Sequence, residues 1–374
     1  MHKFFTASYD ASIYLQQPEQ NTGRDEILEV GKLYYGSTMD IARTLIKFNT
    51  THISQSIVEN NATNWSVFLN LKSANSEEIP LEYTLYANAL SSSWVMGTGT
   101  KFDNVTYDGV TWKYRNGLTE TKWVDYDTTG GTAVYPTTGN TTTGSNNAEG
   151  AVWYLSGSSY QSFSNEPDDV RMDVTKIVKL WISGSTNGGF TNNGFIIHHH
   201  ETASVNDGVD YGVLKFFSKE TNTIYQPKLE LVWDDTIFST GSLLPITGSS
   251  SEDALENSKI VVTDLQKQYS ENIKTKIRVK ARDLFPAKSF GTTFEYDQSK
   301  YLPTSSYYQI EDYRTNEIII PFGEYSKLSC DSKSNYFYLD TSTYPTNRVY
   351  RLKLKIVKDN ITKIIDDKLT FEIV

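Results

Sequence analysis

The segment Ile273-Lys274-Thr275-Lys276-Ile277-Arg278-Val279-Lys280 alternates a β-branched residue with a cation at every step. Wound as a helix, it would scatter its charges around the circumference. Extended, it sets the cations on one face and the β-branched side chains on the other, so this part of the chain is expected to fold as sheet. The same period of two runs through Glu317-Ile318-Ile319-Ile320, Tyr336-Phe337-Tyr338-Leu339, Tyr350-Arg351-Leu352-Lys353-Leu354-Lys355-Ile356-Val357 and Leu369-Thr370-Phe371-Glu372-Ile373. Residues 259–374 therefore read as an all-β domain, an immunoglobulin-like sandwich.

Ahead of it, Ser12-Ile13-Tyr14-Leu15, Ile27-Leu28-Glu29-Val30, 42–48, 66–71, 81–86, 194–200, 213–217 and 228–233 also read as strands. One stretch breaks the pattern. In 173–181, Val174, Ile177, Val178 and Trp181 fall at i, i+3, i+4 and i+7 behind a capping Asp173, which predicts a short helix docked by its apolar stripe on a sheet. Residues 124–150, rich in Thr, Gly and Asn, read as a long polar surface loop. Thr240-Gly241-Ser242 and Thr247-Gly248-Ser249-Ser250-Ser251 bracket Pro245 and predict an exposed linker over 239–258. The expected organisation is a β-sandwich over 1–238 with one short capping helix, the linker, and the second sandwich; 374 residues suffice for two cores.

Residues 1–258 hold 16 Lys+Arg against 30 Asp+Glu, or −14, while 259–374 hold 19 against 15, or +4, which together give the net −10. An acidic body repels phosphate backbones, so nucleic acid is not an expected partner. The basic tail is expected to dock on an acidic neighbour, another copy included. A single cysteine, Cys330, excludes an intrachain disulfide and reads as a small buried apolar side chain of a protein folded in a reducing compartment. No run approaches the ~18 apolar residues of a membrane helix, and Met1–Thr6 lacks the apolar core of a secretory signal, so no membrane partner is expected.

Chemistry is sparse. His198 and His200 share a strand face, and Asp207 and Asp210 in Asn206-Asp207-Gly208-Val209-Asp210 could add oxygens, which makes these four the metal candidates. They match neither the paired spacing of a zinc motif nor the twelve-residue calcium loop, and no cofactor is expected. The pairs Asp168-Asp169, Asp234-Asp235 and Asp366-Asp367 point to opposite sides of an extended chain, so no pair can flank a glycosidic bond; they read as turn and cap residues. With no catalytic triad, phosphate loop or dinucleotide fingerprint in place, the expectation is a protein that is not an enzyme. Trp94, Trp123, Tyr135 and Trp153, in the loosely patterned region with Trp112, are the candidate contacts for a sugar ring or a partner; burial in a core is the competing reading.

Two resemblances organise these observations. Asp10-Ala11-Ser12-Ile13-Tyr14, Leu28-Glu29-Val30-Gly31, 43–48, Val110-Thr111-Trp112, Asp173-Val174-Thr175 with Val178 and Trp181, Asn193-Gly194-Phe195, Phe217-Ser218-Lys219-Glu220 and Pro227-Lys228-Leu229 follow the order of the DNRLRE-type domain. That resemblance covers most of 1–235 and implies a jelly-roll β-sandwich of the kind used as a carbohydrate-binding module. The polar insertion after Trp123 is its departure. Residues 301–312, Ile319-Ile320-Pro321-Phe322, Leu328-Ser329-Cys330-Asp331, Asn335-Tyr336-Phe337, Tyr350-Arg351-Leu352 and Asp366-Asp367-Lys368 resemble the C-terminal β domain of structural virion proteins from tailed bacteriophages. It implies a virion component assembled in the bacterial host cytoplasm in several copies at the neck, tail or fibre base, with other virion proteins and its own copies as partners. The alternative is a carbohydrate-binding module that recognises host-surface polysaccharide.

Overall fold

Alternation becomes sheet in the computed structural model, which is all-β with 48% strand and 10% helix. It describes residues 1–123, 149–164, 169–199, 208–285 and 299–374, with the backbone alone of 134–136. The chain divides into two compact units, Phe4–Asn61 with Ser66–Leu231, and Val232–Val374 with Met1–Lys3 and Ala62–Trp65.

The larger sheet of the first unit has nine strands. Eight run in the order Val134–Pro136, Val152–Ser164, Glu82–Leu90, Phe195–His199, Thr38–Lys47, Ile27–Tyr35, Gly212–Phe217 and Ser73–Glu77, and Tyr9–Tyr14 pairs with Thr38–Lys47 off that path. The smaller sheet runs His2–Thr6, Lys228–Val232, Ser66–Leu71, Val170–Asp173. Register decides what each face carries. Tyr160 and His198 both oppose Tyr86, so these three share one face, which we call the outer one; Phe163 opposes Tyr83 and His199 opposes Leu85 on the inner one.

Helix α1 (Thr50–Glu59) has no counterpart in the sequence reading. Its segment Thr50-Thr51-His52-Ile53-Ser54-Gln55-Ser56-Ile57-Val58-Glu59 buries only Ile53 and Ser56, too few to write a stripe, and its start is fixed locally by Asn49 accepting from the Thr51 N–H at 3.0 Å. Helix α2 (Thr175–Ser183) is the expected one. Ile177, Val178 and Trp181 are buried, with the Trp181 ring 4.5 Å from Phe195. Asp173 accepts from the Thr175 N–H at 2.9 Å, although the N-cap position itself is Val174.

In the second unit, Lys274–Asp283 is flanked by Ser258–Thr263 and Asn335–Asp340 in one sheet; the other runs Gln268–Tyr269, Ile361–Ile373, Arg348–Lys358, Ser306–Asp312, Ile318–Ile320. Their inward residues, among them Ile277, Val279, Ile310, Leu352, Leu354 and Phe371, form one core, in which Tyr308 stacks on Phe337 at 4.2 Å. Cys330 is free and buried, and burial pushes its thiol up to about 11.

Residues 239–258, expected as linker, belong to this unit: they hold the strand Leu244–Pro245 and helix α3 (Ser251–Glu256) and bury Ile246, Ala254 and Leu255. Turn-rich composition hid three core side chains. Leu255→Ala is therefore expected to cost about 2–5 kcal/mol in a urea titration, where a residue of a true linker would leave the midpoint unmoved. The boundary also changes the charge. Asp234, Asp235, Glu252, Asp253 and Glu256 bring the second unit to 20 acids against 20 bases, net zero, and leave the first with 25 against 15, or −10. The basic tail is not basic as a unit.

Candidate functional site

The site begins with a roof. Segment 91–123 carries little periodicity of its own and folds across the outer face of the nine-stranded sheet, where Trp94, Val110, Trp112 and Trp123 pack with Ile13, Leu45, Leu90, Trp153 and Ile196. Trp94, Trp123 and Trp153 are 9%, 0% and 2% exposed, too little for a sugar ring to stack on any of them. The expected platform is a second core. Two of its indoles donate to backbone carbonyls, Trp94 to Asn193 at 2.8 Å and Trp123 to Thr111 at 3.3 Å, which satisfies their buried N–H groups. The side chain of Tyr135 lies outside the described residues; its backbone opposes Trp153 in register.

Within this core sits a cation. The Arg43 guanidinium lies 4.6 Å from the Trp112 ring and 5.4 Å from the Trp153 ring and donates to the Gly150 carbonyl at 2.7 Å. Burial pulls its pKa down to about 9, which still leaves it charged at neutral pH. Gly150, at φ +75°, admits this packing: a Cβ there would stand 2.5 Å from Arg43 Nη1 and 2.7 Å from the Trp112 ring.

From Trp153 the aromatic contacts continue along the same face into solvent. His198 lies 4.4 Å from Trp153 and 6.1 Å from Tyr86, and Tyr86 lies 5.9 Å from Tyr160. Tyr160 is 68% exposed, so the row runs from a dry core to an open ring. Ser162 and Thr84 extend the open end on the same face, their hydroxyls 3.0 Å apart. Tyr160 also borders an open groove against α2, lined by Ser158, Ser159, Thr175, Lys176 and Lys179. An exposed phenol ring beside hydroxyls, amphipathic and shallow, suits the face of a polyhydroxylated ring.

The metal candidates do not come together as a site. His198 is buried, its Nε2 3.0 Å from Asn88 Oδ1 and its Nδ1 against the His199 carbonyl, so both ring nitrogens are engaged. Asp210 accepts from the Tyr34 N–H at 2.8 Å. His200 and Asp207 lie outside the described residues, among which no group of three His, Cys, Asp or Glu could hold a metal ion. Among the aspartate pairs, Asp234 accepts from the Thr236 N–H at 2.9 Å and Asp366 from the Lys368 N–H at 3.3 Å, as turn residues do. Sequence reasoning missed Arg43, Tyr86 and Tyr160. The available signal was the alternation Ser158, Tyr160, Ser162, Ser164, an outward polar row of period two.

No family model and no curated protein matches the sequence. Among solved structures, a DUF4785 family protein from Legionella pneumophila is similar at 11% identity and a TM-score of 0.20, over 100% of this chain and 61% of that one, a likeness too weak to define a shared fold.

Proposed function

We propose that the chain is a non-enzymatic structural component of a tailed-bacteriophage virion, assembled in several copies at the neck, tail or fibre base. One observation carries the reading: the residues resembling virion proteins include the framework of the second core. Tyr308 and Phe337 form the central stack of the second core, and Ile310, Leu328 and Leu352 pack around it. A resemblance written in core positions speaks for a building block that is reused for its shape. Gold-labelled antibody against the chain is expected to decorate purified particles at one fixed location; labelling of empty background alone would contradict the proposal.

A second reading rests on the outer face. The exposed Tyr160 beside Tyr86, Ser162 and Thr84 favours recognition of host-surface polysaccharide by the first unit. On a glycan array, Tyr160→Ala is expected to reduce binding by about five- to thirtyfold, since a stacking ring is worth roughly 1–2 kcal/mol. An array blank for the unaltered chain would sink this reading and leave the first untouched.

A further inference from the structure

Neither unit's net charge describes its surface, because both concentrate unlike features locally. On the outward face of Lys274–Asp283, Lys276 and Arg278 share the carboxylate of Asp331 at 3.3 and 3.0 Å, and Arg278 holds that carboxyl far below the usual range. Further along the strand the pairing stops. Lys259 directly opposes Arg282, Val261 opposes Lys280, and none of the three cations makes an ion pair among the described residues. Two residues beyond Asp283 stands Phe285, 80% exposed, and Val261 between the cations is 38% exposed. The patch is basic and apolar together.

The first unit carries its counterpart. Phe102 is 90% exposed and Tyr107 56% exposed, on a loop that also bears Asp103. Asp25 receives the Lys101 N–H at 3.1 Å beneath this loop, and burial raises its carboxyl, while the Lys101 ammonium, paired with Glu29 at 2.6 Å, offsets the repulsion from Glu29 and Asp103; Glu26 is exposed alongside. The exposed carboxylates gain from an incoming cation, and an exposed phenylalanine gains from any apolar cover.

We infer that these two patches bind each other between copies: the Lys259, Val261, Lys280, Arg282 and Phe285 face of one chain docks on the Asp25, Glu26, Phe102, Asp103 and Tyr107 face of the next. Charge complementarity selects the occupant. A linear polyanion would satisfy the cations but leave Phe285 and Val261 uncovered, whereas the acidic patch brings its own aromatic anchor. Each copy gives one face and receives one, which closes a two-fold dimer if the same two copies reciprocate and builds a ring or a filament if they do not.

The test is sedimentation velocity on the intact chain at roughly 20 mM and about 500 mM salt, and it does not depend on the virion reading, since no particle is involved. Concentration-dependent association at low salt, dissolved at high salt, is expected. Lys280→Glu with Arg282→Glu, and separately Glu26→Lys with Asp103→Lys, should each weaken it at least about tenfold, and all four together should restore it. Circular dichroism identical to that of the parent confirms that each variant is folded. A chain that stays monomeric up to about 100 µM at low salt, a fourfold variant that fails to recover, or retention on heparin without self-association would each overturn the inference.

Discussion

Trp112→Ala is expected to remove about 3–5 kcal/mol of stability, the largest effect of any single substitution considered. The indole is 1% exposed and carries packing from three directions: the sheet's outer face, the roof of 91–123 and the guanidinium of Arg43. Its loss opens a cavity and strips one wall from a buried cation, whose stacking adds about 2 kcal/mol when desolvated. Trp112→Phe refills most of the volume and should recover more than half of the loss. A urea titration followed by far-ultraviolet circular dichroism measures both; equal, small shifts for the two variants would mean that the roof does not contribute to the unit's stability.

The second large effect is a pair of opposed pH dependences inside the first unit. His199 is buried on the inner face with neither ring nitrogen hydrogen-bonded in good geometry, and its pKa falls to about 4; burial dominates, the Thr84 backbone opposes it, and Lys32 adds to it. Its folded pKa lies below the unfolded ~6.5, so the folded state stays neutral where the unfolded state takes up a proton. Stability is lost as pH falls from 6.5 towards 4, by roughly 3 kcal/mol.

Asp10 behaves oppositely. Burial raises its carboxyl to about 7, against the Lys219 N–H that it accepts at 2.6 Å, so its contribution is full below ~3.8 and is lost as pH rises through 7, by about 4 kcal/mol. In the parent chain the two trends offset each other between pH 4 and 6.5. Variants separate them. The stability of His199→Phe relative to the parent should rise as pH falls through that window, and that of Asp10→Asn should rise as pH climbs from 4 to 7. Thermal unfolding across pH 4–8 reads both slopes; two flat difference curves would contradict the burial of these groups.

Much of the fold was legible because a strand's alternation is a local signal. The cations of Lys274–Asp283 and the stripe of α2 each follow from a few neighbouring residues. What stayed hidden depended on distant partners. Trp94, Trp123 and Trp153 look alike in sequence whether they face solvent or a core, and only the packing of 91–123 against the sheet's outer face buries all three. Helix α1 is written in Thr, Ser and Gln and held by a cap, and Ile246, Ala254 and Leu255 are too few to outweigh the Gly, Ser and Pro around them. The outer row of Tyr160, Tyr86 and His198 comes from three strands far apart in the chain, so no window of sequence contains it.

The proposal of a tailed-bacteriophage virion component meets its sharpest test in quantitative mass spectrometry of purified particles from a lysate in which this chain is produced. The chain is expected in every preparation, at a fixed number of copies per particle that survives high-salt washing. Its absence from washed particles, with abundant chain in the lysate, would contradict it.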